Sequence, residues 1–278
     1  MSPHDDYPGP NAGDSLGGYR LEERLGEGGM GVVFRAVRES DGEVVAIKVL
    51  RPELAEDDLY VQRFKREGRS ASGVDHPHLV SVLDSGEIDG WRYLVARYVE
   101  GASLEEVLGH GVLTGGGVVR LASGIGSALD ALHRIGLVHR DVKPSNIMVD
   151  TNGRSLLTDF GVARGEGDTA LTAAGRVVGT VDYIAPEIVR GEPATPASDV
   201  YSLGCVVYEC LAGAPPFAEL DFNETCLAHL ETEPADLRDR RTDVPEPLLW
   251  AAMRALAKDP AARPGTGAAY ARLLRAGL

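Results

Sequence analysis

Gly26-Glu27-Gly28-Gly29-Met30-Gly31-Val32-Val33-Phe34 is the stretch on which the fold turns. Glycines stand at its first, third and sixth places. Without a Cβ, such positions let backbone N–H groups close around phosphate oxygens. The spacing by itself is ambiguous, since a dinucleotide-binding fingerprint and a bare hairpin turn share it. The residues immediately after the last glycine decide between them. A dinucleotide fold opens a helix at its glycines. Here Val32, Val33 and Phe34 are β-branched and aromatic, so the glycines cap a hairpin.

On the near side, Tyr19 to Leu25 reads as the first strand of that hairpin. On the far side, Val45-Ala46-Ile47-Lys48 reads as the next strand. A lysine among apolar neighbours needs a partner or an anionic ligand. A solvent-facing strand lysine is the plainer account of Lys48 alone, and the neighbouring glycine loop outweighs it. One helical stretch interrupts the strands: residues 58–74 place Leu59, Phe64 and Gly68 on one stripe. Two further strands are expected around an Asp-Gly turn at Asp89–Gly90.

Past Gly101 the periodicity becomes helical. Ser103 is placed to cap a short helix, with Glu106 at capping-box spacing. The helix through Leu132 is expected to end at Ile135, before Gly136 as a C′ residue. Two more apolar-periodic helices read over Ser198–Gly213 and Leu248–Asp259. The organisation expected is a Pro/Gly/Asp-rich disordered tail over 1–18, a β-rich unit over 19–97 and an α-rich unit over 98–274. Their join falls at Arg97–Gly101.

Composition narrows the function classes. The 278 residues carry 28 Lys+Arg against 42 Asp+Glu, a net charge of −14, which argues against nucleic acid as the main partner. An apolar content of 44% suits a soluble globular chain with a sizeable core. No apolar run approaches the ~20 residues of a membrane span. The N-terminus lacks the basic start and apolar core of a signal peptide. Cys205, Cys210 and Cys226 show no metal spacing and suit a reducing interior, the first two as small buried hydrophobes.

Polar chemistry is densest at His139-Arg140-Asp141-Val142-Lys143-Pro144-Ser145-Asn146. Asp141 has the chemistry to accept a proton from a hydroxyl, Lys143 to neutralise charge on a transferring phosphate, and Asn146 to offer an amide oxygen to a hard cation. Asp159-Phe160-Gly161 comes after a strand, with Asp159 placed to hold Mg²⁺. Each motif alone has a plain account as a polar turn. Their order, glycine loop, lysine, His-Arg-Asp loop and Asp-Phe-Gly, supplies the set that phosphoryl transfer requires.

In that combination the chain resembles a Hanks-type, eukaryotic-like bacterial serine/threonine protein kinase, most similar to actinobacterial members, over residues 19–274. The resemblance implies an α+β, bilobal protein kinase fold with one main helix in the small lobe. It implies transfer of the γ-phosphate of Mg-ATP to protein Ser/Thr hydroxyls, with Mn²⁺ able to substitute. Gly26, Glu27, Gly28, Gly29, Met30 and Gly31 match the loop over the nucleotide. Lys48 matches the α,β-phosphate lysine, and Glu67 its helix partner, with Glu56 a distant second choice. Asp141 matches the catalytic base; Asn146 and Asp159 match the metal ligands. Lys143 marks serine/threonine acceptors, and Thr180 is expected to contact the catalytic aspartate and lysine. Val33 and Ala46 match the roof of the adenine site and Met148 its floor. Tyr98 and Val99 match the hinge that meets the base. Asp199 matches the anchor of the catalytic loop, and Arg263 the partner of Glu187 in Ala185-Pro186-Glu187.

Two departures carry expectations of their own. Ala96 stands where the family carries methionine, and Arg97 where it carries glutamate, which implies a deeper pocket behind the adenine. Relatives often carry two activation-segment threonines two residues apart. Here Thr172 matches the first and Ala174 occupies the second place. Thr172 is therefore the expected autophosphorylation site and Thr169 the runner-up, with Arg140 placed to pair with the phosphate. The partners implied are protein substrates and a second copy for trans-autophosphorylation, with no membrane segment. The location implied is cytoplasmic, in a soluble kinase or as the cytosolic part of a membrane-anchored one. The alternative function is a nucleotide-binding pseudokinase scaffold; the intact set Lys48, Asp141, Asn146 and Asp159 speaks against it.

Overall fold

The computed structural model describes residues 8–28, 31–51, 74–159 and 181–278. The chain divides into two compact units, residues 1–75 with 80–99 and residues 76–79 with 100–278.

The first unit is built on a six-stranded antiparallel sheet. Its strands are β1 (Ser15–Leu16), β2 (Tyr19–Gly28), β3 (Gly31–Arg38), β4 (Val44–Leu50), β5 (Val82–Ile88) and β6 (Trp91–Arg97), in the order β1-β2-β3-β4-β6-β5. Side chains alternate between the faces of a strand. Val32, Phe34 and Ala36 of β3, Val45, Ile47 and Val49 of β4, and Tyr93 and Val95 of β6 therefore share one face and form the core. Each large side chain buried there contributes about 1.5–3 kcal/mol. The Asp89–Gly90 turn forms as expected, with both residues at positive φ (49° and 82°), the geometry that matches a two-residue hairpin to sheet twist.

The tail expectation is corrected for its last residues. Ser15 and Leu16 pair with Arg20 and Tyr19, and Gly13 N–H donates to Leu21 O at 2.9 Å. Leu16 is only 4% exposed. Gly17 (φ 61°) makes the turn, and a Cβ there would lie 2.1 Å from the Tyr93 hydroxyl. One buried leucine and a closed hairpin outweigh the polar composition of the segment.

The second unit joins a small antiparallel sheet, β7 (Gly101–Ser103), β8 (Ile147–Asp150) and β9 (Ser155–Leu157), to a helical body. Its described helices are α1 (Leu104–Leu108), α2 (Gly115–His133), α3 (Pro186–Val189), α4 (Pro196–Ala212), α5 (Phe222–Glu231), α6 (Glu246–Met253) and α7 (Gly267–Ala276). Ser103 and Glu106 form the expected capping box on α1. Helix α2 ends at His133 rather than Ile135, with Arg134 as its C-cap. Gly136 (φ 78°) still makes the turn, and Leu137 N–H returns to Leu132 O. Helix α4 buries most of its side chains, as a helix at the centre of a bundle must. Cys205 and Cys210 lie within it, and burial pushes both thiols well up. No described helix is long and apolar enough to cross a membrane.

His76–Leu79 belongs with this second unit. His78 O accepts from Leu157 N–H at 2.8 Å, and His78 Nδ1 donates to Ser155 O at 2.7 Å.

Candidate active site

The polar loop is held from inside by His139, which is 1% exposed. Its Nε2–H donates to Thr158 O at 3.0 Å, and its Nδ1 accepts from Asp141 N–H at 3.3 Å. One neutral tautomer satisfies both bonds. Thr158 N–H in turn donates to Asn146 O. The histidine and Asn146 thus pin the residue before Asp159 to the loop that carries Asp141. Arg140 (φ 66°) and Asp159 (φ 55°) both sit in the left-handed region, a conformation non-glycine residues adopt at a cost.

Within the loop, Lys143 Nζ lies 2.9 Å from Asp141 Oδ2. Asn146 Nδ2 donates at 2.8 Å both to Asp141 O and to Asp141 Oδ2. With its amide nitrogen turned to Asp141, Asn146 presents its carbonyl oxygen as the remaining donor. Asn146 and Asp159 then offer hard oxygens of the kind Mg²⁺ prefers, few enough that water and phosphate oxygens would complete the shell.

Helix α4 is the scaffold. Asp199, 1% exposed, accepts from His139 N–H at 2.8 Å, from Arg140 N–H at 2.9 Å and from His133 Nε2 at 2.7 Å. The same helix fastens the segment after residue 180. Ser202 Oγ donates to Tyr183 O at 2.7 Å, and Tyr183 OH to Glu209 Oε2 at 2.7 Å. Ser198 Oγ donates to Glu187 Oε1, and Glu187 receives a two-pronged ion pair from Arg263 at 2.8 Å on each prong. Burial pushes the Glu187 carboxyl up, but the Arg263 and Ser198 hydrogen bonds outweigh it and hold it below its ordinary range. Burial raises the Asp182 and Glu209 carboxyls.

In the first unit the face opposite the core carries the other candidates. Gly26 pairs with Val33, Val33 with Lys48, and Lys48 with Leu94, one rung across β2, β3, β4 and β6. Two residues along, Arg35, Ala46 and Ala96 form the parallel rung. Val33, Ala46, Lys48 and Ala96 are all half-buried on this face. The glycines divide by cause. A Cβ on Gly31 would lie 2.0 Å from Val49 O, so backbone packing requires glycine there. A Cβ on Gly26 or Gly28 would meet nothing within 4 Å. Packing does not explain those two.

The family model described as protein kinase domain matches residues 19–272. The chain belongs to the protein kinase family. This kinase is 39% identical over 258 residues to the serine/threonine-protein kinase PknD of Mycobacterium tuberculosis, covering 91% of the chain and 39% of PknD. It is 39% identical over 245 residues to the serine/threonine-protein kinase PrkC of Bacillus subtilis, covering 88% of the chain and 38% of PrkC. The kinase thus spans about two fifths of the length of these curated relatives. Among solved structures, the M. tuberculosis PknI kinase domain matches with a TM-score of 0.78 at 30% identity, over 97% of this chain and 100% of that one. The α+β kinase fold expected from the motifs is the fold of this chain.

Several expected kinase residues lie outside the described residues: Gly29, Met30, Glu67, Phe160, Gly161, Thr169, Thr172 and Thr180, and Glu56 with them. Glu27 pairs with Arg24 and Arg51. Met148, half-buried on β8, pairs with Ser103 of β7. Tyr98 lies under the Arg35 guanidinium, 5.7 Å from ring centroid to Arg35 Cζ. Three supporting residues went unread in the sequence: His133, which steadies Asp199, and His139 and Thr158, which steady Asp141. Their hydrogen bonds span 66 and 19 residues, so no local spacing announces them.

Proposed function

We propose that this kinase transfers the γ-phosphate of ATP to serine or threonine hydroxyls of proteins. The observation that carries the reading is the clamped Asp141, one carboxylate oxygen of which meets both Lys143 and Asn146. In the reaction proposed, the acceptor hydroxyl oxygen bonds to the γ-phosphorus as the bond from that phosphorus to the β-γ bridging oxygen breaks. The hydroxyl proton goes to Asp141, and ADP leaves with the bridging electrons. Lys143 balances charge on the phosphoryl group in transit. Lys48, with Glu67 as partner, steadies the α- and β-phosphates. Gly26, Gly28 and Gly31 are the residues proposed to bind phosphates through backbone N–H groups, Val33, Ala46 and Met148 those proposed for the adenine, and Tyr98 and Val99 those proposed for its polar edge. Asn146 and Asp159 would hold Mg²⁺, which would supply positive charge to the phosphates.

The domain is proposed to work in the cytoplasm, on protein substrates, switched on by phosphate at Thr172, or at Thr169, delivered by a second copy. Peptide mass spectrometry after incubation with Mg-ATP tests the switch, and phosphate found only outside residues 169–180 would refute it. The decisive test of the activity is transfer of radiolabelled phosphate to a generic basic protein by wild type and by Asp141→Asn. Loss of the base costs about 10²–10⁴-fold. Equal labelling by the two would refute the mechanism and favour a nucleotide-binding scaffold.

A further inference from the structure

An ion triad grips the neck of the glycine hairpin. Arg24 of β2 and Arg51, one residue past the end of β4, both pair with the carboxylate of Glu27, Arg24 with Oε2 and Arg51 with Oε1. Arg51 Nε–H also donates to Gly28 O at 3.4 Å. The loop backbone lies open to solvent, yet the Glu27 side chain between the two guanidinium groups is only 19% exposed.

Strand register sets which side of the loop these charges take. Gly26 pairs with Val33 and Val33 with Lys48, the rung that carries the residues proposed for the phosphates. Arg24 pairs with Phe34 and Glu27 with Val32, rungs whose partners belong to the core. Arg51 follows Lys48 by an odd number of residues and shares the parity of Val49, another core residue. Side chains alternate between the faces of a strand. The triad therefore stands on the face opposite Lys48, and its cations reach the loop from behind.

The loop needs such a hold. A Cβ on Gly26 or Gly28 would meet nothing within 4 Å, so packing does not restrain them. Backbone that free can turn a carbonyl oxygen, rather than an N–H, toward an anion, and ordering it costs entropy when a ligand binds. Arg51 opposes both. Its bond keeps Gly28 O on the guanidinium side, and its pair with Glu27 ties the loop to the end of β4. Gly31 is seated on the same strand end by its close approach to Val49 O. One leg of the hairpin is thus fixed by packing and the other by charge.

We propose that Arg51 is a positioning residue for the nucleotide, holding the glycine loop through Glu27 and Gly28 O with its backbone N–H groups set for the phosphates. This rests on the kinase reading above. A clamp behind the loop reads out on phosphate-bearing nucleotide, and not on adenosine or on the acceptor protein.

The test combines calorimetry of Mg-ATP and of adenosine with initial rates on a generic basic acceptor protein. Arg51→Met keeps the stem and removes the donors. Its Kd and KM for Mg-ATP should each rise about fivefold, with Kd for adenosine, acceptor KM and kcat within about twofold of wild type. Arg51→Lys keeps a charge for Glu27 without the fork that also reaches Gly28 O, and should recover part of the loss. Glu27→Gln separates a clamp from a cation that acts on the phosphates directly. It releases a clamp, so Mg-ATP binding should weaken, whereas a cation freed of its counter-ion would bind Mg-ATP more tightly. Arg51→Met added to Glu27→Gln should then cost little more. An unchanged Kd for Mg-ATP in Arg51→Met, an equal loss for adenosine, or tighter Mg-ATP binding by Glu27→Gln overturns the proposal and leaves the kinase reading intact. Unfolding of Arg51→Met would make Arg51 structural and overturn it too. A wild type that binds Mg-ATP but transfers no phosphate overturns the kinase reading, and the calorimetric arm still decides the clamp.

Discussion

Removal of the Arg263 guanidinium probes a buried ion pair. Arg263 and Glu187 have side-chain exposures of 0% and 4%, so neither partner is rescued by water. Arg263 also donates to Ala257 O, Ala197 O and Lys258 O. Arg263→Met fills similar volume but leaves Glu187 as a buried carboxylate with only Ser198 and backbone groups for support. Breaking a buried pair from one side costs about 3–5 kcal/mol. At about 2 °C per kcal/mol for a chain of this size, the melting temperature should fall by about 6–10 °C. The pH dependence comes from the lowered carboxyl of Glu187. A carboxyl held below its unfolded range contributes stability that is fully present above that range. The contribution is lost as pH falls through the folded value. The gap between wild type and Arg263→Met should therefore be full at neutral pH and shrink as pH falls through the lowered folded value of Glu187, where the carboxyl takes a proton. Glu187→Leu added to Arg263→Met should recover part of the loss, because no buried charge then remains. Calorimetric or circular-dichroism melts from pH 3 to 8 read all three. A neutral-pH loss under about 1 kcal/mol would show that the pair is not a net support of the fold.

The glycine loop gives a pair of opposite outcomes. Gly31→Ala should destabilise by about 1–3 kcal/mol because its Cβ meets Val49 O, whereas Gly26→Ala should leave the melting temperature within about 2 °C yet weaken ATP binding measured by calorimetry. Asp199→Asn turns an amide N–H₂ toward donors that need an acceptor. It should cost about 2–4 kcal/mol in melts and about tenfold or more in kcat as the loop loses its register. Ala96 pairs with Ala46 across β4 and β6, so ATP-competitive inhibitors with bulky substituents should bind wild type. Ala96→Met should weaken them about tenfold or more in competition assays, and equal affinity for both forms would refute the pocket assignment.

Much of the architecture was legible because its signals are local. The Asp89–Gly90 hairpin and the Ser103 capping box are written within four residues each. The strand after Gly31 announced a hairpin rather than a helix, because β-branched and aromatic side chains suit a pleated surface. The order of Lys48, Asp141, Asn146 and Asp159 named a phosphoryl-transfer set before any of them was placed. The misread parts were those where tertiary contact overrode local composition. Polar residues around Leu16 read as disorder, yet burying one leucine against a sheet ordered the segment. The end of α2 moved two residues because the chain beyond it folds back to Leu132.

What the sequence determined by itself is therefore the chemistry and the repeating patterns: which groups carry charge, which strands alternate, and where the turns fall. The tertiary structure alone decided which supports hold those groups. Asp199 is clasped by His133 from 66 residues away, and Glu187 is gripped by Arg263 from 76 residues away. Pairings of that kind depend on how helices pack around α4. Periodicity reports which face of a helix is apolar, but not which distant side chain that face will meet.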